Sequence, residues 1–372
     1  MNTVVYIAGA CLLVYAAVTI PRNAKKARAK RAQAKAAMPV KIDAATYGLV
    51  PAAQVDTTRP GPDPQADEAV AAAGAGDWRR PAAYLADAGS DWDLRWYRVQ
   101  HLMKVDSDND TWLTAWRTQS PGDPGAALTH ADALVTLAWE VRGGKGGSHT
   151  TPEQFQGFHR VLREALPACQ EAARLASPYD PSPWVAQIPI AYGLGWSHDD
   201  FRHLWAQITA RDPYHFGAHV AALQYWCEKW RGSSALMFDF AEQAASSAPP
   251  GSLLPVLRLY ATFEHVLKQT DDSFYEDPYV TAAVDATLDA VDLVPADHHR
   301  LPVVRHLLAN ALYRTGRHAE AAEQFRAIGG YAGAVPWTYF ASPLKQFVHV
   351  RTHTFNDWEK AGRPSVPPRA SF

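Results

Sequence analysis

His215 and His219 stand four residues apart, and on a helix that spacing puts both imidazoles on one face, where two nitrogens can begin a metal site. His198, Asp199, Asp200 and His203 lie across the preceding turn and are the residues from which further ligands would come. The His198 to His219 region therefore supports one reading of the chain as a metal-dependent enzyme or metal-binding protein. The opposing reading makes these histidines helix caps or surface residues. The spacing alone is weak evidence, and Phe216-Gly217-Ala218 between the pair supplies no glutamate of the HExxH kind. Asp297-His298-His299, with His306 further on, has the same two readings. The second is preferred, so neither a metal nor a cofactor is expected.

Other chemistry-bearing motifs fail at defining positions. Asp106-Ser107-Asp108-Asn109-Asp110 begins like a calcium loop, but Thr111 replaces the invariant glycine and Arg117 stands where the bidentate glutamate belongs, so a helix N-cap is the expectation. Gly143-Gly144-Lys145-Gly146-Gly147-Ser148 carries phosphate-loop letters without the GxxxxGK[ST] order and reads as a connector. No GxSxG elbow and no HxE…PCxxC deaminase pattern occurs. The expectation is that the protein is not an enzyme.

What remains is binding. Of the 13 tryptophans, several sit beside charge, among them Trp92, Trp96, Trp112, Trp116, Trp226 and Trp230. Most are expected to fill gaps between helices, while a minority can line a peptide groove, where Trp and Arg carry much of the binding energy. Trp226 and Trp230 are the candidates for that groove.

The elements that position these residues read as helices. Phe201, Leu204, Trp205 and Ile208 form one apolar stripe, and Val220, Leu223, Cys227 and Trp230 another. Arg211-Asp212-Pro213 breaks the chain between them, because proline lacks an N–H and fixes φ. Further breaks fall at Asp180-Pro181, Pro249-Pro250-Gly251 and Pro295-Ala296-Asp297, and no segment after residue 77 alternates like a strand. The break spacing is close to the ~34-residue period of helix-pair repeats.

Val4 to Ile20 carries no charge and is followed by eight basic residues, Arg22 to Lys41, with the first acid at Asp43. The arrangement predicts a transmembrane helix over 3–21, single-pass in the cell membrane, with the C-terminal domain held in the cytoplasm by the positive-inside bias. Ala8-Gly9-Ala10-Cys11 has letters of a lipoprotein cleavage site, but the apolar run continues past it. Beyond that basic stretch, 28 basic residues face 38 acidic ones, a formal charge of −10 over residues 43–372, which excludes general affinity for nucleic acid. Cys11, Cys169 and Cys227 match no CxxC spacing and read as reduced thiols. Residues 22–76, basic and then rich in Ala, Pro, Gly and Asp, read as a juxtamembrane segment and flexible spacer that a folded domain starting at Asp77 does not need. A helical-repeat domain over 77–360 and a disordered tail over 361–372 complete the organisation.

Leu308 to Ile328 resembles a tetratricopeptide repeat almost position for position. Ala309, Ala311 and Ala321 are the small residues that let two helices approach; Gly316 serves the turn, and Tyr313 and Phe325 fill the groove between them. With Asp91-Trp92-Asp93-Leu94-Arg95-Trp96 and Leu223 to Trp230, the chain as a whole is similar to membrane-anchored helical-repeat proteins of actinobacteria. The resemblance implies an all-α fold, a tetratricopeptide-like α-solenoid of helix hairpins, and points to no particular activity. It also implies that Asn310 and Arg314, on the first helix of their pair, face a protein or peptide ligand. The sequence thus points to a membrane-anchored protein-binding scaffold or adaptor.

Overall fold

The computed structural model describes residues 42–105, 109–143, 150–269 and 272–366. The chain is all-α. Among the described residues there is no strand, and the only extended pairing is an isolated parallel bridge between Asp56 and Tyr331. No described helix is long and apolar enough to cross a membrane, and the transmembrane helix expected at 3–21 lies outside the described residues, as does the basic stretch up to 41. The glycine-rich connector over 144–149 and Asp106 to Asp108 also lie outside them. Asp110, the described acid next to the Thr111–Gln119 helix, makes no side-chain cap bond, so the cap expected there is absent at that residue.

Two compact units divide the chain. The first, Pro62–Ala248, is built around an antiparallel pair, Pro124–Arg142 and Pro152–Leu175. Both helices start on proline at the first position behind a capping side chain. Asp123 accepts from the N–H of Gly125 at 2.7 Å, and Thr151 forms a reciprocal capping box with Gln154. Buried Ala131, Ala138, Ala165 and Ala172 let the helices close, and a Cβ on Gly157 would meet Val141 Cγ1 at 2.7 Å. Arg142 is buried at the end of the first helix, its guanidinium 5.5 Å from the Trp139 ring and 5.6 Å from the Trp230 ring. Asp132 is buried in the same pair, and loss of hydration pushes its carboxyl up to about 7.

The second unit combines Pro249–Phe372 with residues 42–61. The Leu301–Arg314 and His318–Ile328 helices form a hairpin in which Ala309, Ala311, Ala321 and Phe325 are buried. Gly316 turns between them at φ 75°, a left-handed conformation that a Cβ would strain.

Residues 42–76 differ from the expected spacer. Over 42–61 the chain is pinned to the second unit by its backbone: Asp56 N–H donates to Gly330 O at 2.8 Å, Ala332 N–H to Asp56 O at 2.7 Å, and Arg351 to Val50 O at 2.9 Å. Leu49 is buried, and Gly333 lies so close that a Cβ there would come 2.1 Å from Arg59 N. Pro64–Gly74 is then a helix of the first unit, capped by Asp63 and burying Ala66, Ala69 and Ala73. Alanine and main-chain groups do here the packing for which large side chains were the expected sign, so folded structure begins before Asp77. At the C-terminus, Trp358 Nε1 donates to Pro364 O at 2.9 Å within the stretch expected to be disordered, and the chain beyond 366 lies outside the described residues.

Candidate functional site: an aromatic groove

Three consecutive helices of the first unit frame a groove of about 400 Å³. His198–Thr209 starts on Ser197, whose Oγ accepts from Asp200 N–H at 3.1 Å; it buries Phe201, Leu204 and Ile208 and leaves Arg202 and Trp205 on its outer flank. Phe216–Trp226 starts on His215, whose Nδ1 accepts from Ala218 N–H at 3.0 Å, while Asp93, from a distant helix, accepts from Gly217 N–H at 2.8 Å. That carboxylate meets the positive end of the helix dipole and fixes its direction. Ser234–Ser247, capped by Ser233, closes the far side.

Trp205, His219, Trp226 and Phe240 line the groove, with Arg202 and Asp239 also on its walls. The Trp205 ring meets His219 edge to face at 4.9 Å and Phe240 at 5.4 Å, a preferred arrangement for aromatic pairs. His219 hydrogen-bonds through Nδ1 to the carbonyl of His215 at 2.9 Å, so the Nδ1 proton is donated and Nε2 is left as an acceptor. Burial pushes its imidazole down to about 4, so it is uncharged at neutral pH. Arg202 places its guanidinium 5.9 Å from the Trp226 ring while pairing with Asp199 at 2.8 Å. Gly232 lies against the Trp226 carbonyl, where a Cβ would come within 1.8 Å. Such a groove can hold an apolar or aromatic side chain between ring edges and orient it with a few polar groups on its walls.

The four histidines from the sequence do not converge. His198 bonds through Nε2 to Arg231 O at 2.7 Å, and exposed His203 through Nδ1 to Asp199 O at 2.8 Å, beside a separate recess lined by Trp184 and Trp196. His215 is fully occupied at Nδ1 as a helix cap and is 3.3 Å from Asp93. Among the described residues no three His, Cys, Asp or Glu side chains are placed to hold a metal ion. Trp226 does line the groove, whereas Trp230 packs on Trp139 and Tyr192 at 5.4 and 4.8 Å.

Asn310 and Arg314 belong to the second unit. Asn310 is buried, 4% exposed, with its amide donating to the Tyr275 hydroxyl at 3.4 Å, which corrects the expectation that it faces a ligand. The segment carrying Tyr275 covers the face that a bare helix hairpin would leave open. Arg314 keeps 27% of its side-chain surface and pairs with Asp272. Sequence reasoning missed Trp205 as a groove residue because it extends the inward stripe of Phe201, Leu204 and Ile208. Phe240 stands behind Asp239, just past the apolar run Leu236-Met237-Phe238, and its spacing gave no sign of a groove.

No protein-family model, curated protein or solved structure matches this chain.

Proposed function

We propose that this protein is a membrane-anchored scaffold or adaptor that binds a protein or peptide ligand, with its helical domain in the cytoplasm. The observation that carries the reading is the groove of Trp205, His219, Trp226 and Phe240, partly open to solvent and lined by ring edges with a cation and a carboxylate on its walls. Half-buried Trp205 and Phe240, with Arg202 on the same wall, have the aromatic and arginine composition in which binding hot spots are enriched. The hairpin of Leu301–Arg314 and His318–Ile328 supports a tetratricopeptide-like α-solenoid as the finer architecture, and the apolar run followed by eight basic residues supports the single-pass anchor.

The test is a photo-crosslinker introduced at Gln243 on the groove wall of the full chain in its native membrane. The expected result is one set of captured proteins that disappears when Trp205→Ala is added and persists with Trp230→Phe. Capture of the same proteins regardless of Trp205 would remove the groove from consideration. A reporter fused after Phe372 and active outside the cytoplasm would overturn the topology.

A further inference from the structure

A second site, independent of the groove, lies where the Trp92–Leu102, Thr111–Gln119 and Pro124–Arg142 helices meet. They frame a cavity of about 210 Å³, partly open to solvent, whose middle is apolar and formed by Leu102, Met103, Trp112, Leu113, Leu134 and Leu137. Four titratable side chains also line it: Asp110, Arg117, His130 and Glu140. Arg117 and Glu140 are half-buried, and neither has an ion-pair or hydrogen-bond partner among the described residues. Half-buried charges without partners are costly to keep, and a bound counter-charge relieves them.

Their placement is ordered. The second and third helices are joined by the turn at 120–123, so Arg117 and His130 lie nearer the turn, Asp110 and Glu140 farther from it. His130 and Glu140 are ten residues apart on one helix, about 15 Å along its axis, and Asp110 and Arg117 seven apart, about 10 Å. Burial, and then the adjacent Arg117, hold the His130 imidazole below its ordinary range against the opposing pull of Glu171 from the next helix, which independently puts Arg117 at the His130 end. The cavity thus runs from a cationic end through an apolar middle to an acidic end.

We propose that this cavity binds an elongated amphiphile of the ω-amino carboxylate class, its carboxylate on Arg117, its hydrocarbon chain along Leu113 and Leu134, and its ammonium between Asp110 and Glu140. The charge order favours this class over a simple fatty carboxylate, which would leave the acidic end unmatched, and over a simple alkylamine, which would leave Arg117 unmatched.

Calorimetric titration of the full-length chain with 8-aminooctanoate, octanoate and octylamine tests the proposal. The expected result is that 8-aminooctanoate binds at least about tenfold more tightly than either singly charged probe. Arg117→Gln should weaken 8-aminooctanoate and octanoate while sparing octylamine, and Glu140→Gln should do the reverse. Equal affinities for the three probes would overturn the assignment of two charged ends. Absence of binding by all three to the unsubstituted chain, which needs no variant to fold, would overturn the site itself.

Discussion

Trp337 donates its indole N–H to Nδ1 of His306 at 2.8 Å, and this single bond decides where the imidazole keeps its proton. With Nδ1 accepting, the proton resides on Nε2, which donates it to the Pro60 carbonyl at 2.9 Å. A buried, neutral histidine therefore ties the 42–61 segment to the helices of the second unit.

Acid should break this tie. Burial pushes His306 down to about 4, as it does His219, so the unfolded chain takes up these protons before the folded chain can. The stability each confers is complete above the ordinary imidazole value near 6.5 and is lost as the pH falls from there toward 4, by up to about 3 kcal/mol per residue. In an Asp132→Asn background, which removes the opposing carboxyl titration, urea midpoints measured through tryptophan fluorescence should drop steeply between pH 6.5 and 4.5. A flat profile over that interval in this background would show that neither ring is held neutral.

Asp132 works in the opposite direction. Its carboxyl, raised to about 7 by burial, keeps a proton that the unfolded chain has released, so its contribution is lost as the pH climbs from the ordinary carboxylate value through 7. Between pH 5 and 8 the natural chain should give up about 2–3 kcal/mol that Asp132→Asn retains. Parallel pH profiles for the two proteins would contradict a carboxyl titrating near neutrality.

The 42–61 segment can be tested through one methyl group. Gly333→Ala puts a Cβ against the backbone of Arg59, which cannot move without losing its bonds, and should cost at least about 2 kcal/mol while making residues 42–61 sensitive to protease. Gly316→Ala meets open space and strains only a left-handed backbone, for about 1–2 kcal/mol, with the segment still protected. For the same reason a chain starting at Asp77 should melt at lower temperature and with a broader transition than one starting at residue 42.

In the 301–328 hairpin, Ala311→Leu should cost about 1–3 kcal/mol, because the position is buried where the helices close. Arg314→Ala removes an ion pair with Asp272 that is partly open to solvent and should cost no more than about 1 kcal/mol. The reverse order in thermal melts would mean that the register of this hairpin is misassigned.

What the sequence revealed was local. Asp180-Pro181, Arg211-Asp212-Pro213 and Gly316 interrupt helices through their own backbone preferences, so their positions could be read without knowing any partner. The role of residues 42–61 could not, since it rests on main-chain carbonyls of Val50 and Pro60 met by side chains 301 and 246 residues away. Asn310 failed for a related reason, its cover being Tyr275, 35 residues upstream and outside the hairpin pattern. Trp205 and Ile208 look alike in a helical stripe, yet only Ile208 is buried, and the difference comes from which neighbours arrive on that flank.

The order of the two units along the chain has a consequence for biosynthesis. Among the described residues the first unit is the continuous stretch Pro62–Ala248, so that stretch can fold as soon as Ala248 leaves the ribosome. The second unit needs residues 42–61, made early, and the segments that carry His306, Gly330 and Arg351, made last. At ~5–20 residues per second, Val50 waits roughly 15–60 s for Arg351 to be synthesised. During that interval residues 42–61 wait without the partners they meet in the folded unit, which leaves the stretch open to a chaperone.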